Sequence, residues 1–413
     1  MFAIHQLSAA GYSERLLLDT LIQRGAISET DGANIAKSTA EIPVVVSDKS
    51  SSVKISAKMQ TQYLHIDTSN DDGISSASTD VNKFLIRRMI LTFDADNKDD
   101  WGAKLSFDFV LENKVSITYI WHSIDNDFIK GEFRFGYLKP NFCYEENMSP
   151  FKLYCVERSI ATYYWGGPRN SRRLGFGSFM TGAYWYGNSR SIKGLEYSLA
   201  VTNSENYQLG SDTISGGKNN APNLWLSCAY LLNLNRSAKT KFGLNLGYGA
   251  DANKESSGDA SAIIGVNPYA TFDWGNLRSA AEFLLSSVDG GNKSVSGSRE
   301  ALPMGLNFLI EYKFEIGDFG QIAPVFRYTW LDTDGHGINP SDGLRKCLNI
   351  SKDLPYRRAQ GFYFGLNWYL IQDTLKVQAG YEFSQFEGSI GTFTSSSHSL
   401  NANSARAQIQ ILF

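Results

Sequence analysis

From Val53 onward, apolar and polar residues alternate with a period of two along most of the chain. The last ten residues, "SARAQIQILF", put Ala405, Ala407, Ile409 and Phe413 on one face, with polar side chains between them. Successive side chains of a strand point to opposite faces, so this pattern predicts strands with one apolar and one polar face. The segments are about ten residues long, which is the length that crosses a bilayer at a tilt.

Sixteen such segments can be counted. They begin near residues 53, 83, 101, 115, 131, 172, 193, 223, 240, 262, 277, 302, 320, 358, 375 and 404. An open sheet edge is excluded from lipid, so strands that cross a bilayer must close on themselves. Tyr, Trp and Phe recur near the segment ends, where membrane barrels carry aromatic girdles. The sequence therefore predicts an all-β fold: a transmembrane antiparallel β-barrel of about sixteen strands over 51–413.

The predicted connections differ in length on the two sides of the barrel. Those after even-numbered strands are short: "DNKDD" at 96–100, "WGN" at 274–276, "GDFG" at 317–320 and "IQDT" at 371–374. Those after odd-numbered strands are mostly long: 67–82, 139–171, 204–222, 288–301, 332–357 and 385–403. Short periplasmic turns that alternate with long outer loops are typical of barrels of the bacterial outer membrane. We therefore predict that location.

The first fifty residues follow a different pattern. Leu17, Leu18, Leu21 and Ile22 recur at helical spacing, and Gly25 is a natural end for that helix. We predict that 1–50 is a short helical periplasmic segment followed by a linker.

Composition agrees with a membrane barrel and argues against other classes. The formal net charge is only -3, so no strong field points to nucleic acid as a partner. No apolar run reaches the eighteen or so residues that a transmembrane helix needs. The mean hydropathy is slightly negative, as expected when lipid-facing residues alternate with lumen-facing ones.

The lumen-facing set should carry the function. By alternation, the inward basic residues are Lys54, Lys58, Arg88, Lys104, Arg134, Lys241, Arg278, Arg327 and Arg406. The inward acids are Asp94, Asp108, Glu196, Glu282, Glu311 and Glu382. A narrow tube with clustered Arg and Lys attracts anions, and Arg suits phosphate because its fork donates two parallel hydrogen bonds. The alternative is that Arg–Glu ladders merely fill and stiffen the lumen.

Arg87 and Arg88 are adjacent in "FLIRRMILTF" and cannot share a face of a regular strand. One of the two must therefore lie at a strand end or at a β-bulge.

The sequence offers little chemistry for catalysis or metal binding. It contains no GxSxG or HExxH motif and no Cys/His set with zinc spacing. We predict no enzyme activity, no metal and no cofactor. Cys143 and Cys155 could form a disulfide in an oxidising outer loop or remain free thiols, and Cys228 falls on a lipid-facing position.

Several segments resemble the phosphate-selective porins O and P. "FRFGYLKPNF" followed by "MSPFKLYCVERS" is similar to a strand, a lysine–proline turn and a Glu-Arg-Ser block of that family, and "FLIRRMIL" to its early strand with paired arginines. "RRLGF", "SLAVTN", "APVFRYTWLD" and "GLNWYL" follow in the expected order, and "LLDTLIQRGAISETD" is similar to the family's periplasmic stub.

The resemblance implies a homotrimeric porin, a water-filled outer-membrane channel through which small anions such as phosphate or polyphosphate diffuse passively. The alternative is a general, weakly selective porin for small hydrophilic solutes. A terminal Phe413 resembles the signal read by the outer-membrane barrel assembly machinery, and lipids and lipopolysaccharide would surround the barrel. Arg87, Arg88, Arg134 and Arg158 are carried over by motif. The full predicted anion-binding and pore-lining set is Arg87, Arg88, Arg134, Arg158, Lys54, Lys58, Lys104, Arg172 and Arg327.

The longest predicted connection, 139–171, would be the third outer loop. In sixteen-stranded porins this loop folds into the barrel and narrows it, so we expect the same here. The alternative is a solvent-exposed cap with no role in permeation.

Overall fold

The fold is described from a computed structural model of the chain. The residues described are 44–47, 51–70, 81–97, 100–110, 115–126, 130–168, 172–203, 221–250, 262–294, 299–344, 355–390 and 399–413. The predicted helical segment at the N-terminus lies outside them. Among the described residues, no helix has the length and hydrophobicity that a membrane-spanning helix needs.

Antiparallel strands dominate the described chain. They are β1 (Val44–Ser47), β2 (Ser51–Asn70), β3 (Val81–Asn97), β4 (Trp101–Asp108), β5 (Val115–Asp125), β6 (Lys130–Leu138), β7 (Met180–Asn188), β8 (Leu195–Thr202), β9 (Asn223–Asn233), β10 (Ala238–Gly249), β11 (Ile263–Trp274), β12 (Leu277–Asn292), β13 (Arg299–Ala301), β14 (Met304–Tyr312), β15 (Phe314–Glu315), β16 (Gln321–Asp332), β17 (Tyr356–Ile371), β18 (Leu375–Ser389) and β19 (Ser399–Leu412). Short helices lie between them: α1 (Tyr144–Asn147), α2 (Ile160–Gly166), α3 (Pro340–Gly343) and a 3-10 turn at Gly317–Phe319.

The strands form one closed barrel of sixteen, as predicted. Strands β2–β12, β14 and β16–β19 each pair with their neighbours along the chain, and β13 and β15 continue β14 at its two ends. The last strand, β19, pairs antiparallel with β2 from Leu400↔Asn70 to Leu412↔Lys58, so the sheet has no open edge. The short strand β1, within the predicted linker, pairs with the start of β2.

The predicted alternation of faces is confirmed in the last strand. Arg406, Gln408 and Gln410 are buried inside the barrel, whereas Ile409 is more than half exposed on the outside. Large aromatic residues are exposed around the short-turn rim, as expected for an interfacial girdle. They include Trp101, Trp274, Phe314 and Phe319.

The alternation of short turns with longer connections is also confirmed. β3–β4, β11–β12 and β17–β18 are joined by two or three residues, whereas 139–179, between β6 and β7, is the longest connection. The C-terminus lies at the short-turn rim, because the Leu412 amide donates to the Thr374 carbonyl (2.9 Å) in the β17–β18 turn.

The third outer connection folds into the barrel, as expected, and is not an exposed cap. We call its described residues, 139–168 and 172–179, the inward loop. Tyr164 and Trp165 of α2 are fully buried, and the Trp165 indole donates to the Ser286 hydroxyl of the barrel wall (2.7 Å). Phe142 packs edge-on against Phe176, with ring centroids 5.1 Å apart. The loop core is therefore held by apolar packing inside the lumen.

The predicted strand start at residue 172 is wrong. β7 begins at Met180, and the preceding residues belong to the inward loop. The Leu174 amide donates to the Tyr164 carbonyl (2.9 Å), and Gly175 and Gly177 have φ values of 66° and 97°, which turn the chain away from the sheet.

The outward face generates a prediction about depth. Phe364 is 53% exposed near the middle of β17, whereas Ile371 is 43% exposed at its short-turn end. Phe364→Arg should lower the free energy of unfolding in lipid vesicles by about 2–4 kcal/mol, and the matched Ile371→Arg by about 0–1 kcal/mol, because the cost of a lipid-facing charge falls towards the interface. Denaturant titration followed by tryptophan fluorescence measures both. Equal losses would contradict this placement of the strand.

Candidate functional site

A cavity of about 1030 Å³ lies between the inward loop and the wall formed by β2–β7. It follows β2 from Lys54 to Gln62 and β3 from Lys83 to Asp94, and Phe413 lies at its short-turn end. The eleven residue steps from Lys83 to Asp94 span roughly 36 Å at about 3.3 Å per residue, so the cavity is elongated along the barrel. We call this elongated cavity beside the loop the passage.

The cavity wall is strongly cationic. Three acidic side chains line it: Asp94, Asp108 and Glu146. Ten basic side chains line it: Lys54, Lys58, Lys83, Arg87, Arg88, Lys104, Arg134, Lys139, Arg158 and Arg406. Glu157 and Glu132, just outside the lining, pair with Arg87 and Arg134, so ten basic side chains minus five acidic ones leave an excess of five positive charges around one passage. A low-dielectric wall strengthens the field that this excess creates.

The paired arginines both reach the lumen because β3 contains a β-bulge. Gln60 pairs with Arg88 and Thr61 with Ile86, so Arg87 is the extra residue. Of the two alternatives predicted for the adjacent arginines, a strand end or a β-bulge, the structure has the bulge. The Arg87 Nε donates to Glu157 Oε1 (2.5 Å), and the Arg88 Nη2 lies 3.9 Å from Glu157 Oε2.

Glu157 of the inward loop is therefore an ionised anchor. Burial by itself would raise the pKa of its carboxyl, but the charges of Arg87 and Arg88 outweigh that effect and hold the pKa well below its usual range. Its Oε1 also accepts a hydrogen bond from Gln62 Nε2 (3.2 Å). The loop is thus tied to β2 and β3 at the cavity edge.

Other basic side chains of the wall contact either a carboxylate or an aromatic ring. Lys104 Nζ lies 2.6 Å from Asp94 Oδ2, and Lys58 Nζ lies 5.6 Å from the Phe151 ring centroid. Arg134 pairs with Glu132, two residues away on the same strand. Some inward charges therefore do form pairs, while the excess remains positive.

The loop side of the cavity carries Lys139 and Arg158. Lys139 pairs with Glu146, and desolvation by burial lowers the pKa of its ammonium group to about 8 despite that acid. Arg158 is buried and donates to the carbonyls of Glu145 (3.1 Å) and Met148 (2.7 Å). Arg158 therefore shapes the loop as well as lining the cavity. The sequence did not single out Lys139 for the site set, because its role depends on the loop turning inward.

Two predicted site residues lie elsewhere, which corrects the sequence-based set. Arg327 does not line the cavity but is fully buried, with its Nη1 3.3 Å from Glu145 Oε1 and its Nη2 2.9 Å from Glu382 Oε1. Arg327 points into the barrel, as the alternation predicts, but the inward loop covers it. Arg172 also lies outside the lining and donates to the His336 carbonyl (2.7 Å).

The barrel wall holds the loop backbone with a band of amides that the sequence analysis missed. Gln410 donates to the Phe151 carbonyl (3.0 Å), and Asn367 donates to the Tyr154 carbonyl (2.8 Å). The buried Lys376 ammonium donates to the carbonyls of Phe151 and Leu153, at 3.1 Å each. The signal that could have revealed this band is the run of inward glutamines on β2, β18 and β19. These are Gln60, Gln62, Gln378, Gln408 and Gln410.

The cysteines of the inward loop are free. Cys143 and Cys155 are buried thiols, so of the two alternatives the disulfide is the wrong one. Burial raises the pKa of the Cys155 thiol to about 12, which keeps it protonated and unreactive. Cys228 is exposed on the outside of β9, as its alternation predicts. Within the described ranges, no three His, Cys, Asp or Glu side chains form a group that could hold a metal ion.

No protein-family model matches this sequence, and no curated protein matches it. Solved structures do resemble it. An anion-selective porin from Comamonas acidovorans superimposes with a TM-score of 0.56 at 11% identity, over 88% of this chain and 100% of the other. OmpF of Salmonella typhi, solved with daunomycin, gives 0.55 at 12% identity over 90% and 100%. The outer-membrane channel DcaP of Acinetobacter baumannii gives 0.52 at 11% identity over 89% and 99%. The fold is that of outer-membrane channels.

Lys139 generates a pH prediction. Its folded-state pKa of about 8 lies below the usual value, so its charge is present below pH 8 and is lost as the pH rises through that value. The chloride-to-potassium permeability ratio should therefore fall between pH 7 and pH 9. Lys139→Arg keeps the charge and should remove this dependence. Bilayer zero-current potentials measure both, and parallel pH profiles would contradict the assignment.

Arg327 generates a stability prediction. Arg327→Met leaves Glu145 and Glu382 buried without their shared cation, so the free energy of unfolding should fall by about 3–5 kcal/mol. The matched Arg358→Met removes an arginine whose side chain is 54% exposed beside Asp332, and should cost about 1 kcal/mol or less. Denaturant titration compares the two. Similar losses would show that Arg327 is no anchor.

Proposed function

We propose that this chain is a porin of the bacterial outer membrane, a water-filled channel for passive diffusion of small anions. The observation that carries the proposal is the passage beside the inward loop, with ten basic and three acidic side chains in its wall. An excess of fixed positive charge concentrates anions and repels cations. The barrel fold supports a channel in general, and the charge of the passage supports the preference for anions.

Two lysines of the passage strengthen the anion preference. Among the described residues, neither Lys54 nor Lys83 forms an ion pair, and both are exposed to the passage. Asp94 is the cross-strand neighbour of Lys54 but pairs with Lys104. Lys54 lies near the short-turn end and Lys83 near the opposite end of the passage. They would attract anions at both mouths. Between them, Arg134 offers a forked donor of the kind that suits phosphate, whereas both arms of the Arg87 fork donate to Glu157.

The second candidate is a general, weakly selective porin for small hydrophilic solutes. Charge pairs inside the lumen favour it, because a paired cation contributes little field to the passage. Lys104 pairs with Asp94 (2.6 Å), and Lys241 pairs with Glu196 (2.5 Å). The excess of five positive charges, counted with Glu157 and Glu132 included, makes the anion channel the better-supported proposal.

The remaining features of the proposal concern assembly. We propose a homotrimer that sits among outer-membrane lipids and lipopolysaccharide and has no nucleic-acid partner, no cofactor and no enzyme activity. The barrel assembly machinery would recognise the C-terminal strand. Phe413 suits that role, since its backbone pairs with Ala57 in both directions (3.2 and 2.8 Å) while 60% of the residue stays exposed.

The test is the zero-current potential of the purified protein in a planar bilayer under a potassium chloride gradient. We expect a potential of the sign set by chloride, and chloride current that falls when phosphate is added at low concentration. A potential near zero with no phosphate effect would favour the weakly selective porin. The absence of conductance would overturn the channel proposal.

Variants at the two mouths sharpen this test. Lys54→Gln with Lys83→Gln should lower the chloride-to-potassium permeability ratio roughly twofold or more, because two positive charges leave the passage. The matched control is Lys130→Gln, at the short-turn rim beside Asp125 and outside the passage lining. An equal effect of the control would mean that selectivity reflects surface charge.

A further inference from the structure

An apolar strip runs beside the cationic wall of the passage. Leu85, Ile117, Tyr119 and Tyr186, from β3, β5 and β7, all line the cavity. Each is only partly buried and packs against the hydrophobic core that the inward loop forms with the barrel wall. Bare inorganic ions gain nothing from such a surface, since apolar contact stabilises only a solute that has apolar area to bury.

Arg134 projects from β6 between the two tyrosines of this strip. Its Cζ lies 4.9 Å from the Tyr119 ring centroid and 4.6 Å from the Tyr186 ring centroid. Its Nε donates to Glu132. These three contacts fix the plane of the guanidinium. Binding of an anion therefore costs less side-chain entropy at Arg134.

The terminal nitrogens of Arg134 remain available. In the described part of the chain, no acceptor lies within hydrogen-bonding distance of its Nη1 or Nη2. The Arg134 side chain is 29% exposed and lines the cavity. A guanidinium with both terminal N–H groups open towards solvent can donate two parallel hydrogen bonds to one carboxylate.

Aromatic rings recur beside other cations of the same passage. Lys139 Nζ lies 4.6 Å from the Phe179 ring centroid, and Lys58 Nζ lies 5.6 Å from that of Phe151. Both rings line the cavity. A positive group therefore lies beside a ring at three places in the passage, and Arg134 is the one of the three that contacts two rings.

We propose that Arg134, Tyr119 and Tyr186 form a binding subsite for organic anions that carry a carboxylate on a flat apolar body. The carboxylate pairs with the open Nη edge of Arg134, and the apolar body lies along the strip formed by Leu85, Ile117 and the two tyrosyl rings. This inference rests on the proposed function and names the class of anion that the passage favours.

Benzoate and acetate are suitable probes because they carry the same carboxylate on a flat ring and on a methyl group. In a planar bilayer, each is added to a chloride solution and the fall in chloride current is measured. We expect benzoate to halve the current at a concentration about fivefold lower than acetate, from the added ring contact. Inorganic phosphate is the third arm, and equal potency of all three anions would overturn the inference.

Variants assign the preference to this subsite. Tyr119→Leu with Tyr186→Leu should bring benzoate and acetate to the same potency, because the ring surface beside the Arg134 fork is lost. Arg134→Lys keeps the charge but lacks the fork, and should weaken block by both carboxylates. The matched control, Lys130→Gln, removes a cation beside Asp125 and outside the passage lining, and should preserve the ratio of the two potencies.

The outcomes separate this inference from the proposal on which it rests. A cation-selective or absent current would overturn both. Chloride selectivity with equal block by benzoate and acetate would overturn the subsite and leave the anion channel standing. A benzoate preference that survives the double tyrosine variant would place the ring contact elsewhere and overturn the assignment to Tyr119 and Tyr186. The comparison of wild-type potencies remains decisive where a variant fails to fold.

Discussion

Closure of the backbone hydrogen-bond ladder is the constraint on which the rest of this structure depends. A bilayer offers no partners for an open strand edge, so β19 must meet β2. Once the ring is closed, every strand has an inside and an outside, and the alternation of the sequence acquires its meaning. The same closure creates an enclosed space, and that space lets one loop divide a barrel into a packed region and a passage.

The inward loop is held by two kinds of contact with different consequences. Apolar packing around Trp165 and charge pairing at Arg327 fix its core, where a loss would be costly. Amide donors from the wall, such as Gln410 and Asn367, bind successive carbonyls of the stretch near Phe151 and so fix its path. Because the opposite wall is left uncovered, a cavity of about 1030 Å³ stays open on the side where lysines and arginines are concentrated.

Much of this arrangement follows from local rules that a sequence displays. The two-residue rhythm predicts the sixteen strands, and the adjacent Arg87 and Arg88 predict a strand end or a bulge, because each depends only on neighbouring residues. The role of Arg327 could not be predicted. Its inward direction follows from the alternation of neighbouring residues, but its burial depends on the inward loop, which is distant in sequence. The start of β7 was missed for the same reason: the stretch around Gly175 has strand-like composition, yet its hydrogen bonds go to Tyr164. The sequence does not show which inward-facing residues are covered by the loop.

The bulge in β3 allows the charge of the lumen to change through the deletion of one residue as well as through substitution. Arg87 is the residue without a counterpart on β2, while Arg88 and Ile86 keep their partners on either side of it. Removing that one residue would restore a regular ladder and leave every other side chain of β3 on its present face. The number of residues at this point therefore sets the charge of the passage. The gain or loss of a single codon would change that charge and leave the hydrophobic exterior of the barrel unchanged.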